Sequence, residues 1–97
     1  MWVRLHFLKT APGKLDDFQE IFHRSVLPVI KAQPGNLEAW LLEPVGGDET
    51  DLIVQTAWKT RQDADADGSI GSITELVEAA AGALTGPATV RTYEVTQ

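Results

Sequence analysis

The sequence predicts one α+β domain with its elements in the order β-α-β-β-α-β. Three observations lead to this prediction. The chain has 97 residues, a length typical of one domain, and we assign residues 1–97 to it. Its apolar residues change between the alternating pattern of a strand and the wider spacing of a helix. Glycine and proline pairs separate these segments and mark the turns between them.

The first segment alternates between two faces, which predicts a strand over residues 1–9. One face carries Val3, Leu5 and Phe7. The other face carries Trp2, Arg4, His6 and Leu8. Both faces offer apolar side chains, so the pattern leaves open which face turns towards the helices.

A helix is predicted from Lys14 onwards, because the next apolar residues recur at helical spacing. They are Leu15, Phe18, Ile21, Phe22, Val26 and Val29. Acidic side chains in the early turns complement the helix dipole. Pro28 lacks a backbone N–H, so we expect it to end or bend the helix near Leu27.

Two further strands are predicted at residues 37–43 and 52–58. The turn between them, residues 44–48, is longer than the tightest hairpin loops. In the earlier of the two strands, one face carries Leu37, Ala39 and Leu41, and the other carries Trp40 and Leu42. We therefore predict a hairpin with apolar side chains on both of its faces.

The second helix is predicted to begin twice. Thr60 and Asp63 form a capping-box-like start, and Ser72 and Glu75 form another one. We expect a break between them, around residues 68–71. The inward side chains of the later part are Ile73, Leu76, Val77, Ala80 and Leu84. Gly86 and Pro87 end this helix, and residues 88–95 form the last strand.

This order of elements predicts a ferredoxin-like sheet with both helices on one face. At least three strands present apolar side chains to both faces, so a single copy would leave one apolar face in water. Exposed apolar faces of this kind mark interfaces. We expect a homodimer in which two sheets pack face to face about a two-fold axis.

Composition excludes several classes of function. The chain has no cysteine, so disulfides, zinc-thiolate sites and cysteine nucleophiles are excluded. Its net charge is −6 and its eight basic residues are scattered, which argues against nucleic-acid binding. No apolar run is long enough for a membrane helix, and the N-terminus lacks a signal-peptide pattern. We expect a cytoplasmic protein with no membrane contact.

Four short segments carry a resemblance to a known family. They are A-P-G-K at 11–14, Q-P-G-N at 33–36, W-K-T-R-Q at 58–62 and R-T-Y-E-V at 91–95. In this order and spacing they are similar to the antibiotic biosynthesis monooxygenase domain of the dimeric α/β-barrel superfamily. The family includes cofactor-independent oxygenases of phenolic polyketides, haem-degrading monooxygenases, isomerases and proteins of no known activity. The resemblance implies a homodimeric α/β barrel.

The resemblance also implies a function and a site. The expected protein is a cofactor-independent monooxygenase of a hydrophobic aromatic small molecule, with no metal. Trp58 matches the tryptophan that family members carry after the third strand, where it would wall the pocket. His6 lies near the strand position where haem-degrading members carry an asparagine, and a neutral imidazole can accept a phenol proton. Arg4 or Tyr93 would donate hydrogen bonds, and Phe22 would line the pocket.

Each of these residues also has a purely structural interpretation. Trp58 and Phe22 suit a core, His6 a buried hydrogen bond, and Arg4 and Tyr93 cross-strand pairs. The alternative function is therefore a non-catalytic ligand-binding or assembly module on the same fold.

Two lower alternatives depend on cofactors or metals. Haem-degrading members carry a ligand histidine in the second helix, whereas this sequence has no histidine after His23. Residues 63–70 match the first eight positions of a calcium loop, but Thr74 stands where its glutamate belongs.

Overall fold

The structure is a computed structural model that describes residues 1–47, 50–65, 84–85 and 89–96. In chain order its elements are β1 (Trp2–Lys9), α1 (Leu15–Ile21), a π-helical turn (Phe22–Val26), α2 (Leu27–Lys31), β2 (Asn36–Leu42), β3 (Asp51–Trp58), α3 (Arg61–Asp65) and β4 (Thr89–Glu94). Among these elements, no helix has both the length and the apolar character needed to span a membrane.

The four strands form one antiparallel sheet in the order β2-β3-β1-β4. The first and third strands lie side by side at its centre, and the second and last strands form its edges. This arrangement confirms the predicted ferredoxin-like α+β fold. The predicted final strand is confirmed as β4.

The helical segment from α1 to α2 does not end at Pro28, so that half of the prediction is wrong, but its regular α-helical pattern is interrupted just before Leu27. The chain passes through the π-helical turn, in which the N–H of Leu27 donates to the carbonyl of Phe22, five residues earlier. Pro28 then lies in the first turn of α2. A proline is tolerated there because the first N–H groups of a helix have no partner within the helix.

The helical segment packs on one face of the sheet and forms the core with it. The buried core residues are Leu8, Phe18, Phe22, Val26, Ile30, Ala39, Leu52 and Val54. Because Leu8 belongs to this core, the face of β1 that carries Arg4 and His6 is the one that meets the helices. We call this the helix-facing side of the sheet.

The opposite side of the sheet, which we call the open face, carries a second set of apolar residues. Strand register places Val3, Leu5, Phe7, Trp40, Leu42, Ile53, Ala57 and Tyr93 on it. Trp40, Leu42 and Tyr93 are exposed. Apolar side chains on both sides of the sheet are therefore present, as the alternation predicted.

The hairpin between β2 and β3 is confirmed, but one of its residues departs from the predicted face. The register shifts between Asn36 and Glu38, as in a β-bulge. Leu37 lies at this shift and is 52% exposed, whereas Ala39 and Leu41 pack in or against the core. The prediction that Leu37 shares a face with Ala39 and Leu41 is wrong, because the bulge interrupts the two-residue alternation.

The predicted start of the second helix is confirmed at Thr60. The N–H of Asp63 donates to Thr60 Oγ1 at 3.0 Å, and α3 follows. The predicted break, the second start and most inward residues of that helix fall in residues 66–83, outside the described residues. Leu84 packs against the core as predicted, but it forms an isolated β-bridge with Thr10.

Candidate functional site

The candidate site is built on β1, whose alternation brings Arg4 and His6 to the helix-facing side. In the register of the sheet, Arg4 lies opposite Thr56 of β3, and His6 lies opposite Val54. Both β1 side chains are more than nine-tenths buried. Two ionisable residues thus lie on the buried side of the sheet, among mostly apolar core residues.

Arg4 connects the sheet to the start of the second helical region. Its Nη1 donates a buried hydrogen bond of 3.0 Å to the carbonyl oxygen of Ala64 in α3. Ala64 itself is fully buried. A buried charge is stable only with strong partners, so this contact both satisfies part of the guanidinium and anchors α3 against β1.

His6 carries a buried polar atom that has no hydrogen-bond partner. Its Nε2 is buried and has no hydrogen-bond partner. Burial, followed by the positive charge of Arg4, lowers the pKa of His6 from 6.5 to about 4. The imidazole is therefore neutral at pH 7, and a buried atom without a partner is costly unless a ligand or water meets it.

Trp58 ends β3 and is completely buried, with 0% of its surface exposed. Its indole Nε1 donates a hydrogen bond of 2.8 Å to Thr56 Oγ1. Across the sheet it faces Trp2, whose ring lies beneath the guanidinium of Arg61 at 5.5 Å. This end of the site is aromatic and closed.

Phe22 begins the π-helical turn and is buried in the core on the helix-facing side. Its ring centroid lies 6.2 Å from that of Phe18, in a stacked arrangement. The edge-on contact with His23, at 5.4 Å, places that histidine on the outer side of the helix, where it is exposed. Phe22 therefore belongs to the same side of the sheet as Arg4, His6 and Trp58.

Tyr93 does not join this group. It pairs with Val3 in the register of β4 and β1, which places it on the open face. It is 45% exposed. The sheet therefore separates Tyr93 from His6.

A ligand-sized cleft lies elsewhere, at the end of the β2–β3 hairpin. Its volume is about 350 Å³ and it is lined by Phe7, Leu8, Leu42, Glu43, Pro44, Asp51, Leu52 and Ile53. None of the sequence-predicted site residues lines it. It sits beside Glu43, whose carboxylate accepts a hydrogen bond from Gln19, and Asp51, which pairs with Lys9 at 3.3 Å.

The described residues contain no cluster of side chains that could hold a metal ion. Across residues 1–47, 50–65, 84–85 and 89–96, no group of three His, Cys, Asp or Glu side chains comes together. Most of the calcium-loop match, residues 66–70, and its twelfth position, Thr74, lie outside the described residues.

Sequence reasoning missed Thr56 as part of the site. Its hydroxyl is the partner of the Trp58 indole, and it is fully buried. The signal was present, because residues two apart on a strand share a face. A threonine two positions before a buried tryptophan therefore has its hydroxyl on the side where the indole needs an acceptor.

Comparisons with known proteins agree with this architecture. A family model described as antibiotic biosynthesis monooxygenase matches residues 1–66. No curated protein matches the chain. A candidate antibiotic biosynthesis monooxygenase from Nitrosomonas europaea is similar in structure, with a TM-score of 0.78, 23% identity and 100% of both chains covered.

Two other solved structures share the fold. One is described as an oxygenase, and the other was solved with a bound porphyrin. SnoaB from Streptomyces nogalater, a cofactor-independent oxygenase, has a TM-score of 0.77 and 12% identity over 99% of this chain and 93% of its own. MhuD, solved with two manganese protoporphyrin IX molecules per active site, has a TM-score of 0.74 and 23% identity over 100% of this chain and 96% of its own. At these identities the likeness shows the fold alone.

Proposed function

We propose that this chain, which belongs to the antibiotic biosynthesis monooxygenase family, is a small cofactor-independent monooxygenase of a hydrophobic aromatic molecule. One observation carries the proposal. The Nε2 atom of His6 is buried without a partner on the same side of the sheet as Arg4, Trp58 and Phe22. A ligand hydroxyl would satisfy this atom, and the aromatic side chains would hold the ring.

His6 acts in this proposal as the proton acceptor, and it needs Arg4 to do so. A simple phenol has a pKa of about 10. Proton transfer from it to an imidazole with a pKa of about 4 is unfavourable by about 8 kcal/mol. The charge of Arg4 reduces this cost because it stabilises the phenolate, and the phenolate in turn raises the pKa of His6.

The spacing of the site favours a fused polycyclic ligand. Trp58 faces Trp2 across the sheet, and His6 lies four residues further along β1. Four strand residues span roughly 13 Å. A single ring is short compared with this backbone separation, whereas a polycyclic phenol extends over more of it.

The proposed reaction needs no external reductant. A hydroxyarene and O2 give a quinone and water, so that one oxygen atom enters the ring and the other leaves as water. The substrate supplies all four electrons that O2 accepts. After deprotonation, the electron-rich phenolate reacts with O2, and the protein contributes proton transfer, charge stabilisation and a dry environment.

Anthrone provides the direct test, because its enol form is a polycyclic phenol and its oxidation to anthraquinone is readily followed by absorbance. We expect quinone formation under air in EDTA-treated protein without added flavin, with one labelled oxygen atom incorporated from ¹⁸O2. The variant His6→Ala should lower kcat/KM by about 100-fold, a typical loss for a general base. The exposed His23→Gln is the matched control and should retain activity.

Equal turnover by His6→Ala and the unaltered chain would remove His6 from the mechanism. No quinone above the protein-free rate, with any polycyclic phenol tested, would reject the oxygenase proposal.

We also propose that the functional unit is a homodimer formed through the open face. The exposed side chains of Trp40, Leu42 and Tyr93 support this, because a single copy leaves them in water. Tyr93 then belongs to the subunit contact rather than to the site of its own subunit. A cytoplasmic location remains the expectation from the sequence.

A non-catalytic binding or assembly module is the second candidate, and a specific observation favours it. Trp58 and Phe22 are 0% and 1% exposed, so a ligand reaches either ring only after neighbouring side chains move. Binding of a polycyclic phenol without quinone formation would support this function. The sequence argues against haem degradation, because haem-degrading members carry a ligand histidine in the second helix and no histidine follows His23 here.

A further inference from the structure

We infer that Thr56 is a positioning residue that holds the indole N–H of Trp58. As a result, Trp58 offers a bound molecule only its ring face, and His6 meets the polar group of that molecule. This inference deepens the proposed function and relies on it for the presence of a ligand. The hydrogen bond itself can be tested without any ligand.

The geometry of β3 carries the first step. Thr56 and Trp58 are two residues apart, so their side chains share the helix-facing side. Thr56 Oγ1 accepts the indole hydrogen bond at 2.8 Å, and both residues are 0% exposed. Both side chains are closed to solvent, so the hydroxyl is the acceptor on which the indole depends.

The chemistry of the indole carries the second step. Tryptophan has one hydrogen-bond donor and no acceptor. Because Thr56 uses that donor, a ligand that displaces the side chains around Trp58 finds only an aromatic surface. On the same side of the sheet, His6 Nε2 is a buried polar atom that has no partner.

The register of the sheet places the aromatic residues, Thr56 and His6 one after another along β1 and β3. Trp58 faces Trp2, Thr56 faces Arg4, and Val54 faces His6. Thr56 thus lies between the aromatic end of the site and its polar end, and it keeps the indole from turning its N–H towards the ligand. Because one end of the site is aromatic and the other is polar, the site should select a flat ring that carries one polar edge.

The test compares Thr56→Val, which removes the hydroxyl at nearly constant shape, with Thr56→Ser, which keeps it. The chain has three tryptophans, so Trp2→Phe and Trp40→Phe assign the indole N–H signal of Trp58 in a nitrogen-proton correlation spectrum. We expect this signal to keep its position and slow hydrogen exchange in Thr56→Ser. In Thr56→Val it should move and exchange faster.

Binding of 1-hydroxypyrene, a fluorescent polycyclic phenol, reports the consequence for a ligand. We expect Thr56→Val to bind about tenfold more weakly than the unaltered chain, because an indole that is no longer held can turn its ring face away from the ligand. Thr56→Ser should restore binding to within about threefold. In the unaltered chain, the Trp58 N–H should stay slow to exchange when the probe binds.

Three results would overturn the inference. They are Thr56→Val binding as tightly as the unaltered chain, a Trp58 signal that is the same in both variants, and a probe that itself takes over the indole N–H. Should Thr56→Val fail to fold, the unaltered chain still decides, because fast exchange of its Trp58 N–H, with or without the bound probe, would overturn the inference. Probe binding, with no quinone formed from any polycyclic phenol tested, would reject the proposed reaction and leave this inference standing.

Discussion

His6 shows how a single residue can be both costly and informative. Its imidazole lies on the helix-facing side of β1, and its Nε2 has no hydrogen-bond partner. A buried polar atom without a partner destabilises the folded chain by about 1–3 kcal/mol. Folding therefore tolerates His6 at the expense of stability, which agrees with the role that we propose for it.

The stability of the chain should depend on pH through His6. Its pKa is lowered from 6.5 to about 4 on folding, so the unfolded chain binds the proton more readily. The free energy of unfolding is therefore highest above pH 6.5, where His6 is neutral in both states. It decreases as the pH falls from 6.5 towards 4, because the unfolded chain takes up the proton first. Between pH 7.5 and pH 5 we expect the free energy of unfolding to fall by about 2 kcal/mol, measured by urea titration.

Replacement of His6 by glutamine provides the comparison for this prediction. The variant His6→Gln should lose most of this pH dependence, and His23→Gln should keep it. A nuclear magnetic resonance titration in which the His6 signal shifts near pH 6.5 rather than near pH 4 would contradict the prediction.

Among the elements, the loop between α2 and β2 shows how closely two segments approach. Gly35 adopts a positive φ of 77° and its carbonyl accepts a hydrogen bond from the N–H of Lys59 at 2.8 Å. A Cβ atom at Gly35 would lie only 2.7 Å from Cβ of Asp63 in α3. The loop therefore needs glycine both for its backbone and for the space beside α3.

The variant Gly35→Ala should cost about 3 kcal/mol of stability, from backbone strain plus the steric conflict with α3. Gly46→Ala is the matched control. Gly46 has a similar φ of 79°, but no atom lies within 4 Å of an added Cβ. This control should cost only about 1 kcal/mol. Equal losses in thermal or urea unfolding would show that the approach to Asp63 does not matter.

For the whole molecule, the decisive feature is a sheet with apolar residues on both sides. One side is covered by the helices, and the open face leaves Trp40 at 42% exposed. A chain of 97 residues buries a limited share of its surface on its own. Covering the open face with a second copy would increase that share, and this is the physical basis of the proposed dimer.

Light scattering at micromolar concentration should give twice the chain mass of 10.6 kDa. A charge placed on the open face should prevent association, so we expect Trp40→Glu to be a folded monomer. Val45→Glu makes the same change of charge at a fully exposed loop residue and should remain dimeric. A well-folded monomer of the unaltered chain would contradict both the dimer and the barrel.

Local patterns predicted the elements well, and their failures have local causes. The alternation in β1 correctly grouped Arg4 with His6. The expectation that the helix could end at Pro28 failed, because a π-helical turn shifted the hydrogen bonding and placed the proline where it needs no N–H. The prediction failed at Leu37 because a bulge interrupted the alternation. Neither irregularity has a strong signal in the residue types alone.

The sequence by itself determined the order of the elements, the shared face of Arg4 and His6 and the apolar character of both sides of the sheet. These depend on backbone periodicity, which is a local property. Only the tertiary structure decided which face meets the helices, and with it that His6 is buried near Arg4 while Tyr93 lies on the other side. With two apolar faces, either choice satisfies the pattern, and the packing of distant segments selects between them.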